Sequence, residues 1–398
     1  MRSIVAYTEE IDDLDAAAEE LFAQVRDFDL ARNSLAILFA EEDTDYPALY
    51  ALLSQRWSFP VMGCTAMAML SGQNGYCRSG ISVMVLTADD CQFSVGITDE
   101  LDRAHYKEQI AHLYNELAAQ HTSEVKLGLS YFGISVTEME LSGSNLLAAL
   151  DAAAGGLPLY GGAASDNLSF VGYHVFCNER EVRDGLVLAL VSGNISPRFV
   201  YVNSVEHTAS FSYEITSAKG NTVFRLGEDT FVEALRKENM RVDQEDMMSA
   251  YILSPFVVTL DQGSGDRVEA TRILATLDLE TGAGTFQGVM QEGATLSIGV
   301  LSREDVCQSV ETAFIRMLRE LSQCGGEYTT LLCTSCGARY LALMNNPSAE
   351  AEAYMSRLPK NLPLQGLYAY GECCPVQGAK TGKNYNMFHN FTFTILAL

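Results

Sequence analysis

Residues 329–370 read TTLLCTSCGARYLALMNNPSAEAEAYMSRLPKNLPLQGLYAY. An apolar β-like run, TTLLCTSC, comes first. A helix-like stretch near Ser348–Leu358 follows, and the phrase LPLQG (Leu362–Gly366) opens a second apolar run. The proline pushes its predecessor out of the α region and ends the helix at the edge of the next strand. The glycine allows a sharp turn or the close approach of another group to the backbone. Strand, helix and strand in this order predict a parallel pair joined by a crossover helix.

The same grammar occurs twice more, at FPVMG (Phe59–Gly63) and LPLYG (Leu157–Gly161). Apolar runs precede both phrases, SLAILFA from Ser34 and LGLSYFGIS from Leu127, with helix-like stretches near Tyr46–Trp57 and Glu138–Ala154. After each of the three phrases comes a Gly-rich or polar excursion and then another β-run: GISVMVLTA from Gly80, GLVLALV from Gly185 and FTFTILAL from Phe391. The unit is strand, helix, strand, excursion, strand, and a returning third strand makes each sheet mixed. The fold class is therefore α/β (mixed α+β), with repeated strand–helix–strand units, mixed sheets and outer helices. Runs this apolar throughout suit two sheets packed face to face in an α/β/β/α layering.

Helical spacing marks further elements. Asp12–Phe28 carries Leu14, Ala18, Leu21, Phe22 and Val25 on one face, and Arg103–Ala119 carries Tyr106, Ile110, Leu113 and Leu117. Ser302 can cap a helix with Val306, Val310, Phe314 and Met317 inward; Asp229 or Thr230 can cap a shorter one through Lys237. The texture changes near 195–220. From Tyr213 to Val300 the chain reads as strands around one helix, with hairpins turning at Gly220-Asn221 and at Thr281–Gly284. Two domains are expected, 1–205 and 206–398, the closing piece of the first extending to about 240.

The 398 residues are 48% hydrophobic, enough for a sizeable core without staples. The 51 acidic against 26 basic residues give −25, which disfavours nucleic acid and anionic membrane surfaces as partners. No window approaches the ~18 apolar residues of a membrane span. Acids within the first nine residues argue against a signal peptide, so a cytoplasmic location is expected. Ten cysteines, several inside apolar runs, read as free buried thiols. Cys333-x-x-Cys336 and the adjacent Cys373-Cys374 are poorly arranged for a tetrahedral zinc site, so neither a metal nor a cofactor is expected.

FPVMGCTA, ISVMVLTA, LPLYGGAASD and HVFCNEREVRDGLVLALVSG in the first half resemble the N-terminal domain of the FIST family, a sensory module named for F-box and intracellular signal transduction. SPFVV, the arginine of EATRILA, LLCTSCGARY, LQGLYAYGECCP and HNFTFTILAL resemble its C-terminal domain. The resemblance covers nearly the whole chain. It implies a sensory domain that binds a small molecule such as an amino acid. The chain stops inside a β-run at Leu398, so no output module is expected and a signalling protein in trans would read its state.

The candidate site residues sit at the ends of β-like runs, where open α/β sheets bind ligands. Arg339 can clamp a carboxylate, Glu372 can hold an ammonium, and Tyr370, Asn390, His389 and Cys336 can complete a polar site. Alternatively Arg339 and Glu372 pair with each other. Gly161, Gly162 and Asp166 belong either to an anion-facing loop or to a tight turn stabilised by Asp166. Arg272 is a ligand contact or a domain-bridging ion pair. Three functions compete: a small-molecule sensor, a hydrolase or transferase with Cys336 as nucleophile, His389 as base and Glu372 as orienter, and an assembly scaffold, with homo-oligomers left open.

Overall fold

The computed structural model describes all residues except 135–138, 204, 243–246, 264, 326–327 and 344. Three mixed sheets carry the three repeats, and each contains one parallel pair. Asn33–Ala40 pairs with Val61–Thr65, Val125–Phe132 with Leu159–Ala163, and Leu331–Cys336 with Leu364–Ala369. The returning strands Ile81–Ala88, Leu186–Gly193 and Thr392–Ala397 lie antiparallel on the other side of each first strand. A fourth strand, Arg2–Thr8, Cys91–Ile97 or Arg198–Asn203, closes the row.

The repeated phrase has the same two duties in every sheet. The carbonyls of Pro60, Pro158 and Pro363 accept the first rung of the parallel pair from the N–H groups of Ala36, Gly128 and Leu331, each at 2.9 Å. Of the two roles open to the glycine, close approach is the one used. A Cβ on Gly63 would lie 1.7 Å from the Leu38 carbonyl oxygen, and one on Gly161 would lie 1.9 Å from that of Ser130. On Gly366 it would meet Cys333 Sγ at 2.2 Å.

The excursions are exchanged in a ring. The hairpin Met69–Ser71 and Gly75–Cys77 of the first unit joins the third sheet beside Leu364–Ala369. Val175–Cys177 and Arg180–Val182 of the second unit join the first sheet beside Val61–Thr65. Glu372–Gln377 and Asn384–His389 of the third unit join the second sheet beside Leu159–Ala163. Where the three meet, Thr65 N–H donates to the His174 carbonyl at 2.9 Å, Ala163 to Gly371 at 2.8 Å and Tyr368 to Ala68 at 2.9 Å. Ser165 N–H and Tyr370 N–H then reach the carbonyls of Thr65 and Ala163. On the third side a hydroxyl intervenes: Met67 N–H donates to Ser165 Oγ at 2.9 Å, and Ser165 Oγ donates to the Tyr368 carbonyl at 2.6 Å.

One apolar core joins the inner faces of all three sheets, with Phe39, Met62, Tyr131, Tyr160, Leu367 and Leu396 among its members. Helices cover the outer faces: Leu14–Val25 and Tyr46–Leu53 on the first sheet, Tyr106–Ala118 and Gly143–Ala154 on the second, Arg303–Cys324 and Ala349–Met355 on the third. Passing from one unit to another crosses helix, sheet, sheet and helix, and a third sheet closes the arrangement. The expected start near Glu138 lies outside the described residues.

Between Arg198–Asn203 and Arg303–Cys324 the chain builds an eight-stranded antiparallel sheet around its own core of Phe211, Phe231, Phe256 and Phe286. Thr230 and Ser302 cap their helices through reciprocal bonds with Glu233 and Asp305. The first hairpin turns at Gly220-Asn221 as expected. The second turns two residues earlier than expected, between Asp278 and Ala283, because the Asp278 carboxylate gathers the N–H groups of Glu280 and Thr281 and the Thr281 hydroxyl.

Candidate functional site

The turn from Phe388 to Thr392 carries the chain from the second sheet into the third. Only two residues, Asn390 and Phe391, separate the strands Asn384–His389 and Thr392–Ala397, and Phe391 takes φ +61°. Four of its five residues face a group named in the sequence reading. The Phe388 carbonyl accepts from Arg272 Nη1 at 3.2 Å. His389 Nε2 meets the Cys374 carbonyl at 3.0 Å while its ring stacks on Tyr201, centroids 5.2 Å apart. Phe391 N–H points at the Cys336 sulfur. Thr392 donates to Glu372 Oε2 from its N–H at 3.2 Å and its hydroxyl at 2.8 Å. Asn390, fully buried, finds no partner among the described residues for either amide atom.

Cys336 ends its strand and lies against the Glu372 carboxyl. Burial pushes Glu372 up to about 8 despite the Thr392 bonds, so at neutral pH the carboxyl is mostly protonated. Burial, followed by Glu372, pushes the Cys336 thiol well above its usual range. Burial, with the Arg272 charge adding to it, pushes His389 down to about 4. No hydrogen bond joins Cys336 to His389 among the described residues; each is committed elsewhere. A nucleophile needs an ionised thiol or a base in reach, and this arrangement supplies a neutral thiol beside a neutral acid.

Arg339 does clamp a carboxylate, but it belongs to Glu350. Nη2 and Nε reach Glu350 Oε1 at 2.7 and 3.0 Å, with both residues fully buried. Ser335 Oγ braces the same carboxylate at 3.0 Å, and Arg339 Nη2 also binds the Val306 carbonyl and Ser309 Oγ. The expected clasp was with Glu372; its true partner lies in the first turn of Ala349–Met355. Nothing in the sequence singled out Glu350 except that an acid interrupts a run of small apolar residues there.

Asp166 is fully buried and organises its own loop. Its carboxylate accepts from the N–H groups of Phe170, Val171 and Gly172 at 2.7–3.0 Å, from Ser169 Oγ at 2.8 Å and from the Tyr370 hydroxyl. Burial raises its pKa, but Tyr370, Ser169 and the backbone donors outweigh this and hold it below the usual range. Tyr370 stacks on Phe170 at 4.4 Å. Gly161 and Gly162 lie inside the second sheet opposite Cys373 and Glu372. The turn reading fits Asp166, whereas Gly161 and Gly162 belong to a strand and to neither expected arrangement.

Arg272 ends the strand Arg267–Arg272 and is 2% exposed. Its partners are the carbonyls of Val289 at 3.3 Å, Thr271 at 3.0 Å and Phe388 at 3.2 Å. The expected alternative, a domain-bridging ion pair, is not formed: no carboxylate within the described residues bridges to it. Beside this cluster opens a cleft of about 440 Å3 lined by Tyr201, Asn203, Glu269, Asp305, Gln308 and Arg316. Tyr201 lines the cleft and stacks on His389, so open and buried parts are contiguous. Sequence reading missed these lining residues; they lie on three separate elements with no common local pattern.

The described residues hold no cluster of His, Cys, Asp or Glu suited to a metal ion. All ten cysteines are free, and eight are buried. No helix among the described residues is long and apolar enough to cross a membrane.

No curated protein matches the chain in sequence. The FIST N domain family model matches residues 34–229, and the FIST C domain model matches residues 231–375. FIST domains are associated with sensory signal transduction and small-ligand binding. The two consecutive matches leave only short flanks outside them, and the three-sheet body together with its inserted fourth sheet is thus the product of a chain that belongs to the FIST family.

Proposed function

We propose that this protein is a cytoplasmic sensor of a small polar metabolite, with an amino acid among the candidates, which reports through a signalling partner in trans. The cleft beside Tyr201 is the entrance. The buried groups around Asn390 are the recognition surface. The observation that carries this reading is the Asn390 side chain, fully buried with donor and acceptor both unpaired. Such a group is costly to fold around and is kept where something else satisfies it. The turn that holds it links the inserted sheet, through Arg272, to the second and third sheets. A ligand bridging these parts shifts their relative population, which is what a partner protein can read.

The test is a thermal-shift screen with amino acids, small carboxylates and polyamines, run on the wild type and on Asn390→Leu. A compound at ~100 times its Kd adds about 2.7 kcal/mol of stability, well within such a measurement. A stabilising compound whose effect vanishes in Asn390→Leu supports the reading. A library that leaves the wild type unmoved, or a shift that survives the substitution, overturns it.

A further inference from the structure

Among the described residues the two bulkiest fully buried side chains are arginines, and they are treated differently. Arg339 is matched by Glu350. Arg272 is matched only by neutral carbonyl oxygens. A buried charge is ordinarily paired, since removal from water is expensive and carbonyl dipoles compensate only part of that cost. The remaining acids near it do not help. Glu372, in the same cluster, is mostly protonated at neutral pH. His389 is neutral. Burial lowers Arg272 only to about 10, so it stays charged.

The neighbouring segments add unpaired polar groups, donors among them. Gln287 Nε2 is buried and unpaired, and its residue belongs to the segment that wraps the guanidinium. Gln287 N–H binds the Ile273 carbonyl at 2.8 Å, next in sequence to Arg272. Gly288 follows, with φ +148°; a Cβ there would lie 2.6 Å from Arg272 Nε, so only glycine lets the backbone lie so close against the arginine. Val289 supplies one of the accepting carbonyls. On the other side, two residues beyond Phe388, stands Asn390 with Nδ2 unpaired. Arg272 is thus held by two other segments of the chain, each with an unpaired buried amide one or two residues from the contact, and no anion among the described residues pairs with its charge.

We propose that Arg272 anchors a carboxylate of the sensed molecule in the fork of its guanidinium, with Asn390 and Gln287 donating to the same anionic end. This rests on the sensor reading above and adds the charge class of the ligand to it. A planar carboxylate matches the two parallel N–H groups of a guanidinium; a lysine offers a point charge without that geometry. The Val289 carbonyl holds Arg272 Nε in this structure, so the carboxylate takes its place there on binding.

The probes are sodium acetate, sodium succinate and inorganic phosphate, compared at equal ionic strength with sodium chloride by calorimetric titration and thermal shift. The proteins are wild type, Arg272→Lys, Arg272→Met and Asn390→Leu. Expected is a concentration-dependent rise in the wild-type Tm with a carboxylate, binding at least tenfold weaker in Arg272→Lys, and none in Arg272→Met. Arg272→Lys keeps the buried charge, so the comparison stands even where Arg272→Met fails to fold. Indifference of the wild type to both carboxylates overturns the proposal, as does a response to phosphate alone or an equal response in Arg272→Lys. A neutral or cationic compound that stabilises wild type and Arg272→Lys alike, and not Asn390→Leu, overturns this proposal and leaves the sensor reading intact. No stabilising compound of any charge overturns both.

Discussion

Ser165 Oγ lies 2.6 Å from the carbonyl oxygen of Tyr368, 203 residues further along the chain. The same hydroxyl accepts from Met67 N–H, so a single side chain completes the junction where all three repeats meet. Ser165→Ala leaves a buried donor and a buried acceptor unpaired. A loss of about 1–3 kcal/mol is expected in urea unfolding; an unchanged midpoint would mean that the backbone closes the gap by itself.

The repeated glycines differ in kind from glycines at open turns such as Gly155. Gly366→Ala places a methyl group against Cys333 Sγ and its carbonyl, atoms fixed by strand pairing. It should cost about 3 kcal/mol, near the upper end for overpacking. Gly155→Ala, at φ +62° with nothing within 4 Å, should cost only about 1 kcal/mol from backbone strain. Equal losses in thermal unfolding would contradict the close-approach role.

Arg339 and Glu350 form the buried pair of the third unit. Arg339→Met alone strands a carboxylate and should lose about 3–5 kcal/mol. Arg339→Met with Glu350→Leu removes both charges and should recover most of that loss. A double-mutant cycle measures this directly, and additive losses would show that the two charges do not depend on each other.

Two buried groups give stability opposite pH dependences. Glu372 has its folded pKa raised from 4.5 to about 8, so its contribution is full below 4.5 and is lost as pH rises towards 8. His389 has its folded pKa lowered from 6.5 to about 4, so its contribution is constant above 6.5 and is lost as pH falls towards 4. Between 6.5 and 8 only Glu372 of these two changes the slope. Stability should therefore fall across that window in the wild type and fall less in Glu372→Gln. Parallel curves for the two proteins would place the Glu372 proton elsewhere.

Native alkylation with iodoacetamide at neutral pH should label Cys324, the exposed thiol, and spare Cys336. Burial keeps Cys336 both covered and protonated. Rapid labelling of Cys336 in peptide mass spectrometry would revive the nucleophile reading that its burial and protonation disfavour.

Much of the architecture was legible because it is written locally. The proline and glycine of LPLQG, LPLYG and FPVMG act on their own strand and its immediate partner, so pattern alone predicted three parallel pairs with crossover helices. Ser302 and Thr230 signalled their caps for the same reason. The exchange of hairpins was not legible. Which sheet receives Glu372–Gln377 depends on an edge that Leu159–Ala163 presents more than two hundred positions earlier, and strand pairing over such distances leaves no periodicity to read. The site shows the same division. The polar residues at strand ends could be named one by one, but Glu350, which pairs with Arg339, sits in a segment with no signal of its own.

The ring of exchanged hairpins also constrains how the protein can be made. During synthesis from the N-terminus, Leu159–Ala163 emerges with one edge uncovered, and its cover, Glu372–Gln377, is translated only after the whole inserted sheet. Over that interval the nascent chain carries an apolar strand with an open edge, the feature that invites mispairing between chains. A product that ends before the third hairpin keeps that edge open and is expected to aggregate rather than to form a smaller working domain.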